Sequence, residues 1–138
     1  MILGTGIDIV HVKRLETWGE KICARWFHPA EYEAACSRGT GKALSLAARF
    51  AAKEAFGKAL GTGLSGMNLR DIEVANSDSG KPVMVLHGTA REALSRVVAG
   101  EPFALNNGRE ADGLRVHLSL THDEGNAVAM VIIEKCEV

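Results

Sequence analysis

The most restrictive feature of this sequence is a long run of good helix formers between residues 42 and 60. This run, Lys42–Leu60, is rich in Ala, Leu, Lys and Glu. Four alanines recur in it at every fourth position: Ala47, Ala51, Ala55 and Ala59. Residues at this spacing share one face of a helix, and a face of alanines lets another element pack closely. The run therefore predicts a long central helix that ends at Gly61.

The first ten residues predict a β-strand that carries a carboxylate. Apolar residues alternate there with small or polar ones, a period of two that is typical of a strand, and Asp8 falls on the same face as Gly4 and Gly6. The apolar residues that follow have helical spacing and predict one helix from Val12 to Trp26. Pro29 then opens a short helix through residue 35.

The rest of the chain predicts two pairs of adjacent strands with one helix between them. The predicted strands are 71–75, 82–87, 115–121 and 127–133. Thr89 and Glu92 predict a capping box for the helix, which continues to residue 98, and residues 99–113 predict an exposed loop. Strands joined by short turns favour antiparallel pairing. The expected fold class is α+β, an antiparallel sheet with a long central helix, in a single domain over residues 1–138.

Composition excludes several classes of function. A hydrophobic fraction of 46% with 24% charged residues is typical of a soluble globular protein. The net charge of -1 gives no basic field for nucleic acid. Because Asp8 interrupts the apolar stretch near the N-terminus, we expect neither a signal peptide nor a membrane span. The three cysteines lack the spacing of a zinc site or a redox pair, which predicts reduced thiols and a cytoplasmic location.

Two carboxylates in apolar surroundings are the first candidates for chemistry. Asp8 interrupts a strand, and Glu54 precedes Lys58 by one turn on the same face of the central helix. A strand-end cap and a solvated ion pair are the ordinary explanations. Charges are, however, seldom buried without a partner or a function, and Mg²⁺ usually takes one or two protein carboxylates together with water and phosphate oxygens. Asp8 and Glu54 are therefore candidate magnesium ligands, and Lys58 can serve the same phosphate.

Two further features can offer hydrogen bonds to a phosphate. His117, Ser119 and Thr121 share one face of a predicted strand, which is either a donor surface or a solvated polar face. The glycine-rich segment from Gly61 to Gly66 has backbone N–H groups that can cradle an anion. This segment follows a helix C-terminus, where the dipole disfavours anions, so a structural turn is the favoured interpretation for most of it.

Three stretches of the chain resemble the holo-acyl-carrier-protein synthase family of 4′-phosphopantetheinyl transferases, in the family's order and spacing. They are 4–10 (GTGIDIV), 49–63 (RFAAKEAFGKALGTG) and 117–123 (HLSLTHD), with a weaker match at 79–82 (SGKP). The resemblance implies the single-domain fold of that family and a role in fatty acid biosynthesis. It implies transfer of 4′-phosphopantetheine from coenzyme A to a serine of apo acyl carrier protein, which leaves adenosine 3′,5′-bisphosphate. It also implies a homotrimer with active sites between subunits.

The resemblance also assigns roles to individual residues. The family's metal ligands match Asp8 and Glu54, and its phosphate-binding lysine matches Lys58. Candidate coenzyme A contacts are Lys58, Gly61, Gly80, Lys81, Pro82, His117 and Ser119. Gly57 stands where relatives often carry serine, and the segment 99–113 is longer than the usual family loop.

Carrier-protein docking is predicted on the first helix. Arg14, Lys21 and Arg25 are spaced seven and four apart, so they would line one stripe of a continuous helix, with Trp18 between them. The alternative is a solvated basic face. The family's partner is a small acidic protein, and the resemblance implies that Arg14 faces it.

The implied reaction is attack of a serine hydroxyl on the β-phosphate of coenzyme A, helped mainly by positioning and charge stabilisation. The general base is Glu54 or a metal-bound water that it orients. His117 is an alternative base, or it donates a hydrogen bond to the phosphate. Two other classes remain open at this point. A metal-dependent phosphohydrolase would use the same Asp–Glu pair on coenzyme A or nucleotides, and a non-enzymatic module would only bind the nucleotide.

Overall fold

The computed structural model describes residues 1–99 and 113–136. Within these ranges the chain forms five strands and five α-helices. The strands are β1 (Ile2–His11), β2 (Ile72–Asn76), β3 (Pro82–Leu86), β4 (Leu114–Asp123) and β5 (Asn126–Lys135). The helices are α1 (Val12–Glu16), α2 (Glu20–Trp26), α3 (Pro29–Cys36), α4 (Lys42–Leu60) and α5 (Gly88–Ala99). The α+β class is confirmed, and the loop predicted over 99–113 falls outside the described residues apart from its two ends.

Both groups of strands are antiparallel, as the short turns predict. β5 is the middle strand of a three-stranded sheet in the order β1-β5-β4, and β2 pairs with β3 in a separate two-stranded sheet. In the larger sheet, Asp8 lies opposite Ala129 and Ser119 lies opposite Met130. This register decides which candidate residues share a face of the sheet.

The central helix α4 has the predicted bounds and packs against β1 at very short range. A Cβ atom added at Gly6 would lie 1.9 Å from the carbonyl oxygen of Ala55, and one added at Gly4 would lie 1.9 Å from that of Ala59. The alanine face of α4 and the glycine face of β1 are therefore complementary. Gly61 ends the helix in the left-handed conformation at φ 78°, as expected for a C-terminal glycine.

A fully buried ion pair ties α3, α4 and β2 together. Lys53 Nζ lies 2.6 Å from Glu31 Oε1, and neither side chain is exposed. Lys53 Nζ also donates to the carbonyl oxygens of Leu69 and Ile72. Burial lowers the pKa of Lys53, and the charge of Glu31 opposes that effect. The pair is hydrogen-bonded on all sides, as a buried charge requires.

The prediction of one helix from Val12 to Trp26 is wrong. α1 ends at Glu16 and α2 begins at Glu20, and the hydroxyl of Thr17 donates to the carbonyl of Arg14 at the break. Trp18, in the connection, packs edge-on against Phe50 with ring centroids 5.4 Å apart. Burying this large aromatic side chain outweighs the continuation of a helix.

The capping box predicted at Thr89 is also wrong. α5 begins one residue earlier, at Gly88, so Thr89 lies inside the helix. Its hydroxyl and its backbone N–H both donate to Asp71 Oδ2, at 2.6 and 2.8 Å. The side chain of Asp71, just before β2, therefore accepts the hydrogen bonds of the first turn of α5. The sequence pattern predicts this capping role for Glu92 instead.

None of the described helices is long and apolar enough to cross a membrane.

Candidate active site

Asp8 and Glu54 lie close together where β1 packs on α4. Asp8 is on the glycine face of β1, which the central helix covers, and Glu54 precedes Ala55 on that helix. Burial raises the pKa of Glu54 and the negative charge of Asp8 raises it further, while Lys58 and Arg14 oppose these effects. A partly buried carboxylate whose ionisation is disfavoured by burial and by a second carboxylate forms a site that a divalent cation would stabilise.

Lys58 completes this group of charges. Its Nζ donates to Asp8 Oδ1 and to the carbonyl oxygen of Ile7, both at 3.0 Å. The Lys58 side chain is 54% exposed, whereas that of Asp8 is 16% exposed. An ammonium group has three donors, so one N–H of Lys58 is left without a partner in the part of the chain that the structure describes and can meet an anion that approaches from solvent.

Arg14 borders the same group. Its guanidinium carbon lies 5.0 Å from the centroid of the Phe50 ring and 5.9 Å from that of Trp18, which holds an exposed side chain in place. Because the charge of Arg14 opposes the raised pKa of Glu54, the guanidinium lies within electrostatic reach of that carboxylate.

The basic stripe predicted for a continuous first helix does not exist in that form. Arg14 is on α1, whereas Lys21 and Arg25 are on α2, and the break at residues 17–19 separates the two helices. All three side chains are exposed. Lys21 and Arg25 remain four residues apart on one helix and share its face, so the docking prediction now rests on exposed charge and not on helical spacing across all three.

His117 and Ser119 lie on the other face of the three-stranded sheet. Ser119 is opposite Met130, on the face that points away from α4, and Asp8 is opposite Ala129, on the face that α4 covers. His117 Nε2 lies 2.7 Å from Glu134 Oε2, and this hydrogen bond holds the pKa of Glu134 below its usual value. Within one chain the sheet therefore separates these two residues from the Asp8–Glu54 pair.

The glycines that are candidate coenzyme A contacts, Gly61 and Gly80, both lie in structural turns. The N–H of Gly61 donates to the carbonyl of Lys58 at 3.0 Å, so it serves the helix end. Gly80, at φ 85°, is in the turn between β2 and β3. Lys81 and Pro82 follow it, and the carbonyl of Lys81 accepts from the N–H of Ser77 at 2.8 Å.

Steric hindrance explains why position 57 is glycine in this chain, where relatives often carry serine. A Cβ atom there would lie 2.7 Å from the carbonyl carbon of Gly63. The loop after α4 thus occupies the space that a serine side chain would need.

A cavity of about 320 Å³ opens between α4 and the strands, which is the size of small-molecule sites. Pro82 and Thr121 line it, together with Arg49. Arg49 is buried and bonds to Ser45, and its Nε has no hydrogen-bond partner among the described residues. Sequence reasoning did not single out this arginine, although a charged residue inside an alanine-rich helix was a usable signal.

Comparisons with known proteins agree with this architecture. The sequence model of the 4′-phosphopantetheinyl transferase superfamily matches residues 4–110. A holo-[acyl-carrier-protein] synthase of Treponema denticola is 52% identical over 136 residues, which are 97% of this chain and 99% of that protein. The corresponding enzyme of Methylorubrum populi is 45% identical over 143 residues, or 100% and 97% of the two chains.

Solved structures give the same result. A holo-[acyl-carrier-protein] synthase of Neisseria meningitidis superimposes with a TM-score of 0.77 at 32% identity, covering 98% of this chain and all of the other. One from Bacillus anthracis, solved in complex with CoA (3′,5′-ADP), gives 0.74 at 34% identity and 98% coverage of both chains. In sequence and in fold, this chain belongs to the 4′-phosphopantetheinyl transferase superfamily.

Proposed function

We propose that this chain is a magnesium-dependent, cytoplasmic holo-[acyl-carrier-protein] synthase, one transferase domain over residues 1–138. It transfers 4′-phosphopantetheine from coenzyme A to a serine of apo acyl carrier protein and so supports fatty acid biosynthesis. The observation that carries this proposal is the apposition of Asp8 and Glu54, with Lys58 one turn later on the same helix. The names of its relatives and the CoA-bound Bacillus anthracis structure support the choice of substrates.

Asp8 and Glu54 would hold the magnesium ion. Their carboxylate oxygens are hard donors of the kind that Mg²⁺ prefers. The raised pKa of Glu54 reflects burial first and the charge of Asp8 second, and a bound cation would offset both. The bound ion would offset negative charge on the pyrophosphate oxygens of coenzyme A.

The protein's own groups account for positioning and proton transfer. The serine oxygen bonds to the β-phosphorus as the bond from that phosphorus to the bridging oxygen breaks, and adenosine 3′,5′-bisphosphate leaves. Lys58, with a free N–H, stabilises the charge on the leaving phosphate. Glu54, or a water molecule that it orients, would accept the serine proton. His117 is the alternative base, or it donates a hydrogen bond to a phosphate oxygen.

The cavity beside α4 would hold part of coenzyme A. Arg49 lines it with a buried guanidinium whose Nε–H has no partner in residues 1–99 and 113–136, and such a group suits a phosphate oxygen. The turn at Gly80 and Lys81 leads into Pro82 on the same cavity wall. Gly61 contributes as the end of α4, next to Lys58.

A homotrimer would bring the two halves of the site together. On the sheet face that points away from α4, the part formed by β1 and β5 is apolar and open in one chain: Ile7, Ile9 and Met130 are 62%, 64% and 43% exposed. An exposed apolar face of this kind marks an interface. If a second subunit covers it, His117 and Ser119 of one chain can approach the Asp8–Glu54 pair of another.

Light scattering tests the trimer. We expect a mass of about 44 kDa, three copies of the 14.7 kDa chain. A monomer that is stable at micromolar concentration would contradict the assembly.

The acyl carrier protein would dock at exposed basic residues. Arg14 lies within electrostatic reach of Glu54, and Lys21 and Arg25 extend the positive charge along α2. Charges of this kind steer an acidic partner and set its orientation more than they add affinity.

The function is tested by incubating the protein with coenzyme A, magnesium and apo acyl carrier protein, and then measuring the mass of the carrier. We expect a gain of one phosphopantetheine group. Asp8→Ala and Glu54→Ala should abolish most of that gain, and Glu33→Ala, which removes an exposed carboxylate on α3, should not. Consumption of coenzyme A without modification of the carrier would instead indicate a phosphohydrolase. Binding without turnover would indicate a nucleotide-binding module.

A further inference from the structure

Two histidines and a glutamate converge outside the group formed by Asp8, Glu54 and Lys58. His28 is the N-cap residue of α3, Glu73 is in β2, and His87 directly follows β3. Glu73 Oε1 lies 2.9 Å from His87 Nε2 and 3.8 Å from His28 Nδ1. One ligand atom from each residue lies within 4.8 Å of the other two, and the two imidazole rings stack with centroids 5.3 Å apart.

These distances suit a small transition-metal ion. Zn²⁺ binds imidazole nitrogen and carboxylate oxygen at about 2.0–2.2 Å in tetrahedral geometry, so its ligand atoms lie roughly 3.3 Å apart. The distances from Glu73 Oε1 to His87 Nε2 and to His28 Nδ1, 2.9 and 3.8 Å, fall on either side of that value. A site with two imidazoles favours zinc over magnesium, which prefers an all-oxygen shell. The side chains of His28, Glu73 and His87 are 35%, 15% and 41% exposed, so an ion can enter and water can complete its shell.

The buried ion pair of the core holds two of these ligands in place. Glu31 Oε1 accepts from the backbone N–H of His28, and Glu31 Oε2 accepts from that of Val74, next to Glu73, each at 3.0 Å. Glu31 is itself held by Lys53 at 2.6 Å with no exposure of either side chain. Both segments are therefore fixed to one buried carboxylate, and supporting contacts of this kind reduce the ordering that metal binding requires.

Two existing contacts compete with the metal, and the first is the 2.9 Å hydrogen bond between His87 Nε2 and Glu73 Oε1, which both atoms would exchange for the ion. In the second, His28 Nδ1 accepts a 3.1 Å hydrogen bond from the N–H of Ala30 as the cap of α3. A metal at Nδ1 would take over that lone pair, and the N–H of Ala30, which is exposed, would then bond to water. The exchange keeps every polar group satisfied.

We propose that His28, Glu73 and His87 bind one Zn²⁺ ion, which clamps the N-terminus of α3 to the β2–β3 hairpin. The site is separate from the Asp8–Glu54 pair in residues and in chemistry. It supports the hairpin that carries Gly80 and Pro82, and its existence does not depend on the proposed transfer reaction.

Titration calorimetry of the whole chain with zinc chloride, in the presence of excess magnesium, tests the proposal. We expect one zinc ion per chain. His87→Gln and His28→Asn should each weaken zinc binding by at least about tenfold, and asparagine at position 28 keeps a good N-cap acceptor. His11→Gln, which removes an exposed histidine at the end of β1, is the matched control and should bind zinc like the parent.

Thermal melting of the same four proteins provides a second readout. Zinc should raise the Tm of the parent and of His11→Gln clearly more than that of the two site variants at the same zinc concentration, because the stabilisation grows with affinity for the folded chain. A melt without zinc shows whether each variant is folded. Failure of the parent to bind one equivalent of zinc, or parental affinity in either site variant, would overturn the proposal.

Discussion

The close contact of β1 with α4 can be tested by adding a single methyl group. In Gly6→Ala the new Cβ would lie 1.9 Å from the carbonyl oxygen of Ala55 and 2.8 Å from the backbone nitrogen of Ala59. Ordinary contact begins near 3.4 Å, so the strand and the helix must separate by about 1.5 Å. Since the obstructing atoms are backbone, no rotamer change can relieve the overlap. We expect a loss of about 3 kcal/mol in the free energy of unfolding, the upper part of the range for overpacked cores.

Urea denaturation at one fixed protein concentration measures this loss. With a slope of roughly 1–3 kcal/mol per molar for a small protein, the midpoint should fall by about 1–3 M. Gly19→Ala is the matched control, because a Cβ at Gly19 meets nothing within 4 Å and its φ of -76° suits alanine. Both substitutions change the unfolded chain in the same way. Alanine is also a poorer N-cap than glycine at the start of α2, so the difference between the two variants is a lower bound on the cost of the clash.

The same substitution should also weaken the proposed metal site. Asp8 lies two residues beyond Gly6 on the same face of β1, and its 3.0 Å contact with Lys58 depends on the short distance between strand and helix. Magnesium affinity should therefore fall together with stability. If Gly6→Ala proved as stable as Gly19→Ala and bound magnesium normally, the argument that the glycine face positions the site would be refuted.

Four further changes test other parts of the structure. Lys53→Met leaves a fully buried carboxylate without its cation and should cost about 3–5 kcal/mol in urea denaturation. Burial and Asp8 raise the pKa of Glu54, so the folded state loses stability as pH rises from the ordinary carboxyl range through that raised pKa. Without metal, Glu54→Gln should therefore be more stable than the parent at pH 7, and the two melting curves should converge in acid. Lys58→Ala should lower kcat far more than magnesium affinity; the opposite result would make Lys58 only a partner of Asp8. Arg14→Glu should raise KM for the carrier protein strongly and KM for coenzyme A little, and equal changes in both would exclude a docking role.

The relation between the two halves of the candidate site shows the limit of sequence reasoning. Alternation along each strand correctly groups Gly6 with Asp8 and His117 with Ser119. It does not show that these groups occupy opposite faces of one sheet, because that depends on the register in which β1 and β4 pair with β5. The functional roles of these residues remain predictions, and the opposite placement makes the proposed subunit interface necessary to them.

Several features depend on contacts between residues far apart in the chain. The break at Trp18 requires Phe50 on α4, and the charge of Lys53 is tolerated in the core only because Glu31 reaches it from α3. The cluster around Glu73 likewise joins residues 28, 73 and 87. No local pattern records these partners, since each pair becomes adjacent only after the helices and strands pack.

The sequence alone determines the elements whose cause is local. The bounds of Lys42–Leu60 follow from helix formers between glycines, and β1 and the antiparallel pairs follow from alternation and short turns, because these signals act between residues at most a few positions apart. Tertiary structure alone decides which faces meet. Three features result from packing: the close contact of Gly6 with α4, the approach of Asp8 to Glu54, and the position of His117 on the opposite face of the sheet. In packing, burial of side chains selects one arrangement among several that the local pattern permits.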